Sequence, residues 1–264
     1  MLGSLPTRLA DRSRLANQNT LVGNNGPVVV WLKSSLRVHE NPALDVGRII
    51  ASQNDLPLLV YQAIDERYPW ASLRHHNMLL DGAVDLHHGC EEMGLRYVLH
   101  VAREGNREPV MNYFAEEASC IITDLLPLPP WSEWVKGVAS RASCPLIEVD
   151  CHCVIPMTLY GRSVDRPFKF RSATKKLRKR LLGEAWGKVE VEVDAYLGDL
   201  PFTPVDVVLD IEDFSRRFEL LRGCNIDPSV LPVWSERGGE LVSLSRWQEF
   251  LSGGLRSYAR RRNN

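Results

Sequence analysis

A polar turn directly follows the first strongly apolar run of the chain. The run reads VVVWL over Val28–Leu32, and a lysine and two serines come immediately after it. An aspartate likewise follows the apolar run CIIT at 120–123. If both runs are buried parallel strands, their carboxyl ends meet on one side of a sheet, where the loops of such sheets form ligand crevices. The ammonium, hydroxyl and carboxylate groups can hydrogen-bond a small ligand there. The candidate cofactor-binding residues are Lys33, Ser34, Ser35 and Asp124.

The same turn leads into a predicted helix and lacks a phosphate-binding loop. Asn41 is suited to cap that helix, with Pro42 at its first helical position. No glycine-rich loop follows the apolar run, and the GNNG sequence at 23–26 lies before it. Rossmann-type dinucleotide binding at a helix N-terminus is therefore not expected.

A strongly basic segment lies in the second half of the chain. KFRSATKKLRKR, at 169–180, contains seven basic residues and no acidic one. Its apolar residues recur every three or four positions, which predicts an amphipathic helix with a charged face in solvent. The sharper alternative is contact with nucleic-acid phosphates, which gives salt-dependent binding with little sequence preference. The candidate DNA-binding residues are Lys169, Arg171, Lys175, Lys176, Arg178, Lys179 and Arg180.

Two stretches rich in cysteine or histidine do not predict a metal site. Cys151, His152 and Cys153 are consecutive, so they lack the usual two-residue gap and the fourth ligand of zinc sites. Two histidine pairs, in HHNM at 75–78 and LHHG at 86–89, fall on one predicted helix. Adjacent histidines of a helix face different directions and no paired carboxylate is evident, so we expect these side chains to be exposed or partly buried. No metal-binding residue is assigned.

Composition excludes several classes of protein. With 264 residues and 44% apolar content, the chain can bury a sizeable core. Its 32 basic and 33 acidic residues give a net charge of -1, so any basic face must be local. The six cysteines are scattered, several of them in apolar segments, which favours reduced thiols and a cytoplasmic location. No stretch reaches the roughly 18 apolar residues that span a bilayer, so no membrane association is expected.

Short β-rich runs alternate with helical patterns up to residue 156. The runs are too apolar for half-exposed strands, which predicts an α/β fold with a Rossmann-like, doubly wound, five-stranded parallel sheet. Residues 1–26 are predicted to be a disordered tail, and a partly helical linker region follows the sheet domain. The predicted strands are 28–32, 57–61, 95–101, 120–123 and 145–149, and the predicted helices are 41–53, 73–93, 107–118, 132–142, 211–222 and 243–262.

Several stretches resemble the photolyase and cryptochrome family, in the family's order. WLKSSLRVHENPAL, at 31–44, is similar to the family's first strand and loop, WFRRDLRLxDNPAL. ITDLLPL at 122–128 resembles VTDxxPL, and EVDCHCVIP at 148–156 resembles QVDAHNVVP; both favour the class II photolyases. FLSGGLRSYARRRNN, at 250–264, is similar to FLxxxLxxYxxxRNxP, the helix that leads into the family's flavin domain.

The resemblance implies a two-part protein that repairs DNA with light. In the family an α/β domain holds an antenna pigment of deazaflavin or folate type, and a helical domain holds FAD and the damaged DNA. The photoexcited reduced flavin gives an electron to a flipped-out pyrimidine dimer, which splits and returns the electron. On this basis 27–156 is expected to be the photolyase-type α/β domain, 157–242 the interdomain linker, and 243–264 the start of a truncated helical FAD-binding domain.

We therefore expect an antenna-type α/β domain and linker of a photolyase-family protein, without repair activity of its own. FAD is not expected in this chain, and no stoichiometric cofactor is expected. Lys33 and Asp124 match the family by position, whereas Ser34 and Ser35 replace its Arg and Asp, so any antenna pigment should be weakly held. The expected partners are a separate or downstream flavin domain and, weakly, DNA. The alternatives are a freestanding nucleotide- or pigment-binding module, and an interaction subunit that docks on a separate flavin domain.

Overall fold

The centre of the fold is a six-stranded sheet in the order β1-β6-β5-β2-β3-β4. It is seen in a computed structural model that describes residues 1–21, 23 and 26–262. Strands β2 to β6 are parallel to one another, and β1 is antiparallel to β6. The α/β class and the parallel five-stranded core are thus confirmed, and β1 is a sixth strand that was not predicted. The strands are β1 Ser13–Leu15, β2 Val28–Leu32, β3 Leu58–Asp65, β4 Arg96–Ala102, β5 Cys120–Asp124 and β6 Leu146–Val149.

Helices bury both faces of the parallel core. Val28, Val30 and Leu32 pack in one apolar cluster with the helices that follow β2 and β3. Val29 and Trp31 pack in a second cluster with the helices that follow β4 and β5. Alternate residues of a strand point to opposite faces, so an unbroken apolar run requires cover on both sides. The helices of this part are α1 Thr7–Ala10, α2 Pro42–Gln53, α3 Leu73–Glu92, α4 Val110–Glu117 and α5 Trp131–Ala139.

The prediction of a disordered tail over 1–26 is wrong for the described part of that segment. A short 3-10 turn, Leu2–Ser4, and α1 precede β1. Leu9 is fully buried, and the Cα of Ser13 pairs with that of Val149. Frequent polar residues hid this structure from the sequence pattern. Residues 22, 24 and 25 lie outside the described residues.

The region after the sheet consists of short helices and irregular segments. The amphipathic helix predicted at 169–180 is instead two helices, α7 and α8, separated at Thr174, whose buried hydroxyl bonds to the Phe170 carbonyl at 2.7 Å. The predicted unit 243–264 includes residues 263 and 264, which lie outside the described residues. In the described ranges, no helix combines the length and apolarity needed to cross a bilayer. The elements are α6 Met157–Tyr160, α7 Pro167–Ala173, α8 Lys175–Gly183, a π-helical turn Val207–Glu212, α9 Phe214–Arg222, α10 Glu240–Glu249, a π-helical turn Phe250–Gly254 and α11 Leu255–Arg261.

Two buried carboxylates of α3 hold the region around α10 against the sheet domain. Asp81 accepts hydrogen bonds from the Arg217 guanidinium at 2.6 Å and from the Gly238 backbone N at 3.0 Å. Asp85, one turn later, accepts bonds of 3.0 Å from the Arg237 guanidinium and from the backbone N of the second residue of α10. The two aspartates are only 4% and 5% exposed. Since buried charges need partners, these contacts fix the start of α10 on α3.

The loop after β2 is held between α3 and α10. The Glu240 carboxylate accepts hydrogen bonds from the backbone N of Val38 at 2.8 Å and of His39 at 2.7 Å. On the other side, Val38 packs against Gly89 of α3, where a Cβ would lie 2.5 Å from Val38 Cγ2. Only glycine permits this approach without movement of the loop. The loop that carries the predicted site is therefore fixed from two directions.

Candidate functional site

Asp124 gathers the predicted site residues at the carboxyl ends of β2 and β5. Its Oδ2 accepts hydrogen bonds from the backbone N atoms of Ser34 at 2.7 Å and Ser35 at 2.9 Å, and from the Ser34 hydroxyl at 2.6 Å. Its Oδ1 lies 2.9 Å from Lys33 Nζ. The structure therefore brings together all four residues that the strand-end argument selected.

The Lys33–Asp124 pair is deeply buried and has a structural role. The two side chains are 3% and 0% exposed, and Lys33 Nζ also lies 4.6 Å from the centre of the Trp31 ring. Burial by itself would raise the pKa of Asp124, but the Lys33 ammonium and the serine hydrogen bonds outweigh it and lower that pKa to about 2. Because the oxygens of Asp124 are occupied by the protein, the carboxylate fixes the loop and is not available to a ligand.

The CHC sequence after β6 supports the same loop. His152 Nε2 lies 3.0 Å from the Ser34 hydroxyl oxygen. Cys151 points inward, with its Sγ 3.4 Å from the Val149 carbonyl oxygen. Asp150 accepts hydrogen bonds from three backbone N atoms that follow it, at 2.8–3.0 Å. The histidine and the cysteine beside it thus contact different parts of the protein.

A cavity of about 680 Å³ opens beside this loop. It lies between the first turns of α3, helix α5 and the carboxyl ends of β2, β3 and β4. Lys33 and Ser34 line it, whereas Ser35 and Asp124 do not. Its size falls within the range of about 300–1,000 Å³ that is typical of small-molecule sites. We call this cavity the crevice.

Aromatic rings form much of the crevice wall. Tyr68 is central, because its ring stacks on His75 with centroids 4.8 Å apart and lies 5.5 Å from the Trp131 ring and 6.3 Å from the Trp134 ring. Trp31 lines the wall beside the buried lysine. Flat apolar walls of this kind suit a planar aromatic ligand, since offset stacking adds about 0.5–1.5 kcal/mol for each ring pair.

Two histidines supply polar atoms that the protein leaves unpaired. His76 is 1% exposed, and neither of its ring nitrogens has a hydrogen-bond partner within the described structure. Burial lowers its pKa to about 4, so the ring is neutral near pH 7. His75 Nδ1 is also unpaired, and burial lowers the pKa of His75. Since an unpaired buried polar atom costs about 1–3 kcal/mol, a ligand that bonds to these rings would remove that cost.

The crevice also has cationic groups on its wall. Arg67 is 62% exposed in its side chain and forms a bidentate pair with Asp65, with contacts of 2.6–3.2 Å. Arg141 bonds to the Asn112 side chain at 3.1 Å. Each guanidinium has further N–H groups that can bind a carboxylate or phosphate on a ligand.

Sequence reasoning found the loop but missed most of the crevice. The expectation that all four histidines of α3 are exposed or partly buried is wrong for His76. The residues that were missed belong to two aromatic stretches, RYPWASLRHH at 67–76 and PPWSEW at 129–134. Both follow predicted strands, so a search for aromatics just beyond strand ends would have found them.

The seven predicted DNA-binding residues lie on α7 and α8, away from the crevice lining. Lys169 pairs with Asp165 at 2.8 Å, and Arg180 lies 3.8 Å from an oxygen of Asp11. Within residues 26–262, the other five basic residues have no ion-pair partner. The segment therefore presents several uncompensated cations to solvent.

Comparison with known proteins places the chain in a family. The sequence model of the DNA photolyase family matches residues 28–191, more than half of the chain, and the chain belongs to that family. The α/β sheet domain agrees with the N-terminal domain of photolyases.

Three deoxyribodipyrimidine photo-lyases are similar in sequence. The protein from Methanothermobacter thermautotrophicus is 28% identical over 90% of this chain and 49% of its own length. The protein from Potorous tridactylus is 25% identical over 96% of this chain and 46% of its own length. The protein from Arabidopsis thaliana is 26% identical over 90% of this chain and 47% of its own length. The chain thus spans about half the length of these relatives.

A solved structure supports the fold. The chain superimposes on the archaeal photolyase from Sulfolobus tokodaii with a TM-score of 0.51 and 14% identity, over 80% of this chain and 44% of that one. That structure holds two FAD molecules, with the implication of a novel light-harvesting cofactor. At this level of identity the likeness concerns the fold alone.

Proposed function

We propose that this chain is the light-harvesting α/β domain and linker of a photolyase-family protein, and that its crevice binds a planar heteroaromatic pigment. The observation that carries the proposal is an aromatic cavity of about 680 Å³ whose lining residues include the buried His76, both ring nitrogens of which are unpaired in the described structure. A cavity without a ligand function would more often be filled by apolar side chains or have its polar atoms paired.

The residues of the crevice fit a deazaflavin- or folate-type pigment. Trp31, Tyr68 and Trp134 would stack against the ring system, and His76 would hydrogen-bond its polar edge. Arg67 and Arg141 would bind an anionic tail at the opening. A bound pigment of this kind absorbs light and passes the excitation to a flavin. Weak retention is expected because Ser34, which lines the crevice where the family has Arg, already donates its hydroxyl hydrogen bond to Asp124.

The purified 264-residue chain, without a tag, should bind a deazaflavin or folate pigment in a saturable manner. We expect His76→Leu and Trp134→Ala each to weaken binding by about fivefold, because each removes roughly 1 kcal/mol of hydrogen bonding or stacking. Absorption and fluorescence titration, from about 300 to 600 nm, measures the affinity. Trp247→Ala, on exposed α10, is the matched control and should bind as the unchanged chain does. Equal binding by all four proteins, or none by any of them, would refute the crevice as the site.

We further propose that these 264 residues do not split pyrimidine dimers or retain stoichiometric FAD by themselves, and that they act with a flavin domain. Supporting this, the chain spans about half the length of its relatives. A light-dependent repair assay with and without an added flavin domain tests it, and repair by the 264 residues alone would overturn it. One observation also favours the alternative of an interaction subunit, namely an exposed apolar stripe along α10, the π-helical turn Phe250–Gly254 and α11. Its members are Leu241, Leu244, Trp247, Leu251, Leu255 and Tyr258.

The uncompensated cations of α7 and α8 lead us to propose weak, sequence-independent DNA binding. Retention on DNA should fall steeply between about 50 and 200 mM salt, because bound phosphates release counterions. Lys175→Gln with Lys176→Gln should reduce both the affinity and the salt dependence. Lys136→Glu, on α5, is the charge-matched control. Binding that is insensitive to salt, or that prefers dimer-containing DNA, would contradict this proposal.

A further inference from the structure

A cluster of two imidazoles and a carboxylate lies on α3, outside the crevice lining. His87, His88 and Glu91 each offer one ligand atom, and these atoms lie within 4.8 Å of one another. Glu91 is four residues after His87 and three after His88, so its carboxylate lies on the same side of the helix as both rings. The two rings lie 5.2 Å apart between centroids at an angle of 68°. The side chains leave the backbone in different directions, yet their tips converge.

His88 contacts a different carboxylate through each ring nitrogen. Its Nε2 lies 2.5 Å from Oε1 of Glu212, in the π-helical turn Val207–Glu212. Its Nδ1 lies 3.9 Å from Oε2 of Glu91. If Nε2–H donates to Glu212, the lone pair of Nδ1 faces Glu91. A separation of 3.9 Å is too long for a hydrogen bond. It is within the roughly 4.2 Å that two metal–ligand bonds of about 2.1 Å can span.

We propose that His87, His88 and Glu91 bind a divalent first-row transition-metal ion of the zinc type, and that Glu212 is a positioning residue. Imidazole nitrogens and carboxylate oxygens are ligands for such ions. A carboxylate that accepts the hydrogen bond of the far ring nitrogen fixes the tautomer and raises the basicity of a metal-bound histidine. Three protein ligands leave a further coordination position for water.

The surroundings of the cluster favour a cation. The side chains of His88 and Glu91 are 45% and 74% exposed, so an ion can reach them from solvent. A divalent ion would balance the two carboxylates, Glu91 and Glu212. It would also strengthen the attachment of the π-helical turn to α3, since Glu212 joins the cluster from that turn. The site would therefore link the sheet domain to the region that follows it.

Calorimetric titration of the reduced, untagged 264-residue chain with Zn²⁺ tests the proposal. We expect one equivalent of saturable binding, which His87→Ala and Glu91→Gln abolish. Glu212→Gln should weaken binding by about 10- to 100-fold, as loss of an outer carboxylate partner typically does. Glu92→Gln, the adjacent exposed carboxylate of α3, and Cys153→Ser, which removes the partly exposed thiol, are the controls and should bind as the unchanged chain does.

A second measurement separates metal binding from a folding defect. Saturating Zn²⁺ should raise the thermal midpoint of the unchanged chain, because a ligand that binds the folded state stabilises it. The midpoint of His87→Ala should stay constant. The proposal is overturned if the unchanged chain shows no saturable binding, if binding persists in His87→Ala, or if Cys153→Ser removes it.

Discussion

Replacement of Asp124 by alanine is expected to lower the free energy of unfolding by about 3–5 kcal/mol, the cost of leaving one member of a buried ion pair without its partner. Lys33 Nζ would lose its carboxylate while remaining buried under the Trp31 ring. The backbone N atoms of Ser34 and Ser35 would also lose their acceptor, which releases the loop. Equilibrium urea unfolding at neutral pH measures the change.

Two controls isolate the ion pair. The double variant Lys33→Met with Asp124→Leu should recover a large part of the loss, because apolar replacement of a whole buried pair is often neutral or stabilising. The difference in the free energy of unfolding between the unchanged chain and Asp124→Asn should shrink at low pH. The folded-state pKa of Asp124 is lowered to about 2, so its stabilising contribution is complete above about pH 4 and disappears as the pH falls towards 2. If Asp124→Ala lowers the free energy of unfolding by less than about 1 kcal/mol, the carboxylate does not hold the loop.

The double variant Asp81→Ala with Asp85→Ala is expected to release the start of α10 from α3. The change removes the carboxylate that accepts hydrogen bonds from the Arg217 guanidinium, only 13% exposed in its side chain, and from the Gly238 backbone N. We expect the local stability to fall by about 3 kcal/mol or more. This loss corresponds to roughly 100-fold faster amide exchange around residues 237–241. Hydrogen-exchange mass spectrometry measures this directly.

The pattern of exchange distinguishes local release from global unfolding. Peptides from β2 and β5 should keep their protection in the double variant, since these strands are buried on both faces by other elements. Glu92→Ala, on the same helix, should exchange as the unchanged chain does. Equal protection of residues 237–241 in the double variant and the unchanged chain would mean that apolar contacts alone hold α10.

The parallel core was predictable because burial on both faces leaves a strong pattern. β2 has the predicted bounds, and Asn41 caps α2 by accepting hydrogen bonds from the backbone N atoms of Ala43 and Leu44. β3 was predicted to end at residue 61 and extends to Asp65. Its polar Gln62 is buried and accepts a hydrogen bond from the Tyr97 hydroxyl at 2.7 Å, a long-range contact that no local pattern contains.

The candidate site was predictable only in part, for a similar reason. Strand ends identified the loop at Lys33 and its partner Asp124, because position along a parallel sheet is readable from sequence. The crevice walls come from α3, α5 and three strands, and their meeting depends on helix packing. In the same way Glu212 reaches His88 across 124 residues of sequence, so the carboxylate that pairs with this histidine could not be found beside it.

The two margins of the parallel core, β6 and β4, have consequences for how the domain can be trimmed. β6 is paired on its outer side by β1, and β4 receives a hydrogen bond from the Val205 backbone N at 2.9 Å, outside the range 27–156. A protein cut to residues 27–156 would expose unpaired backbone groups along both margins of its sheet. Such edges are templates for intermolecular β-pairing and aggregation. The segment before residue 27 and the linker therefore protect the α/β domain from self-association.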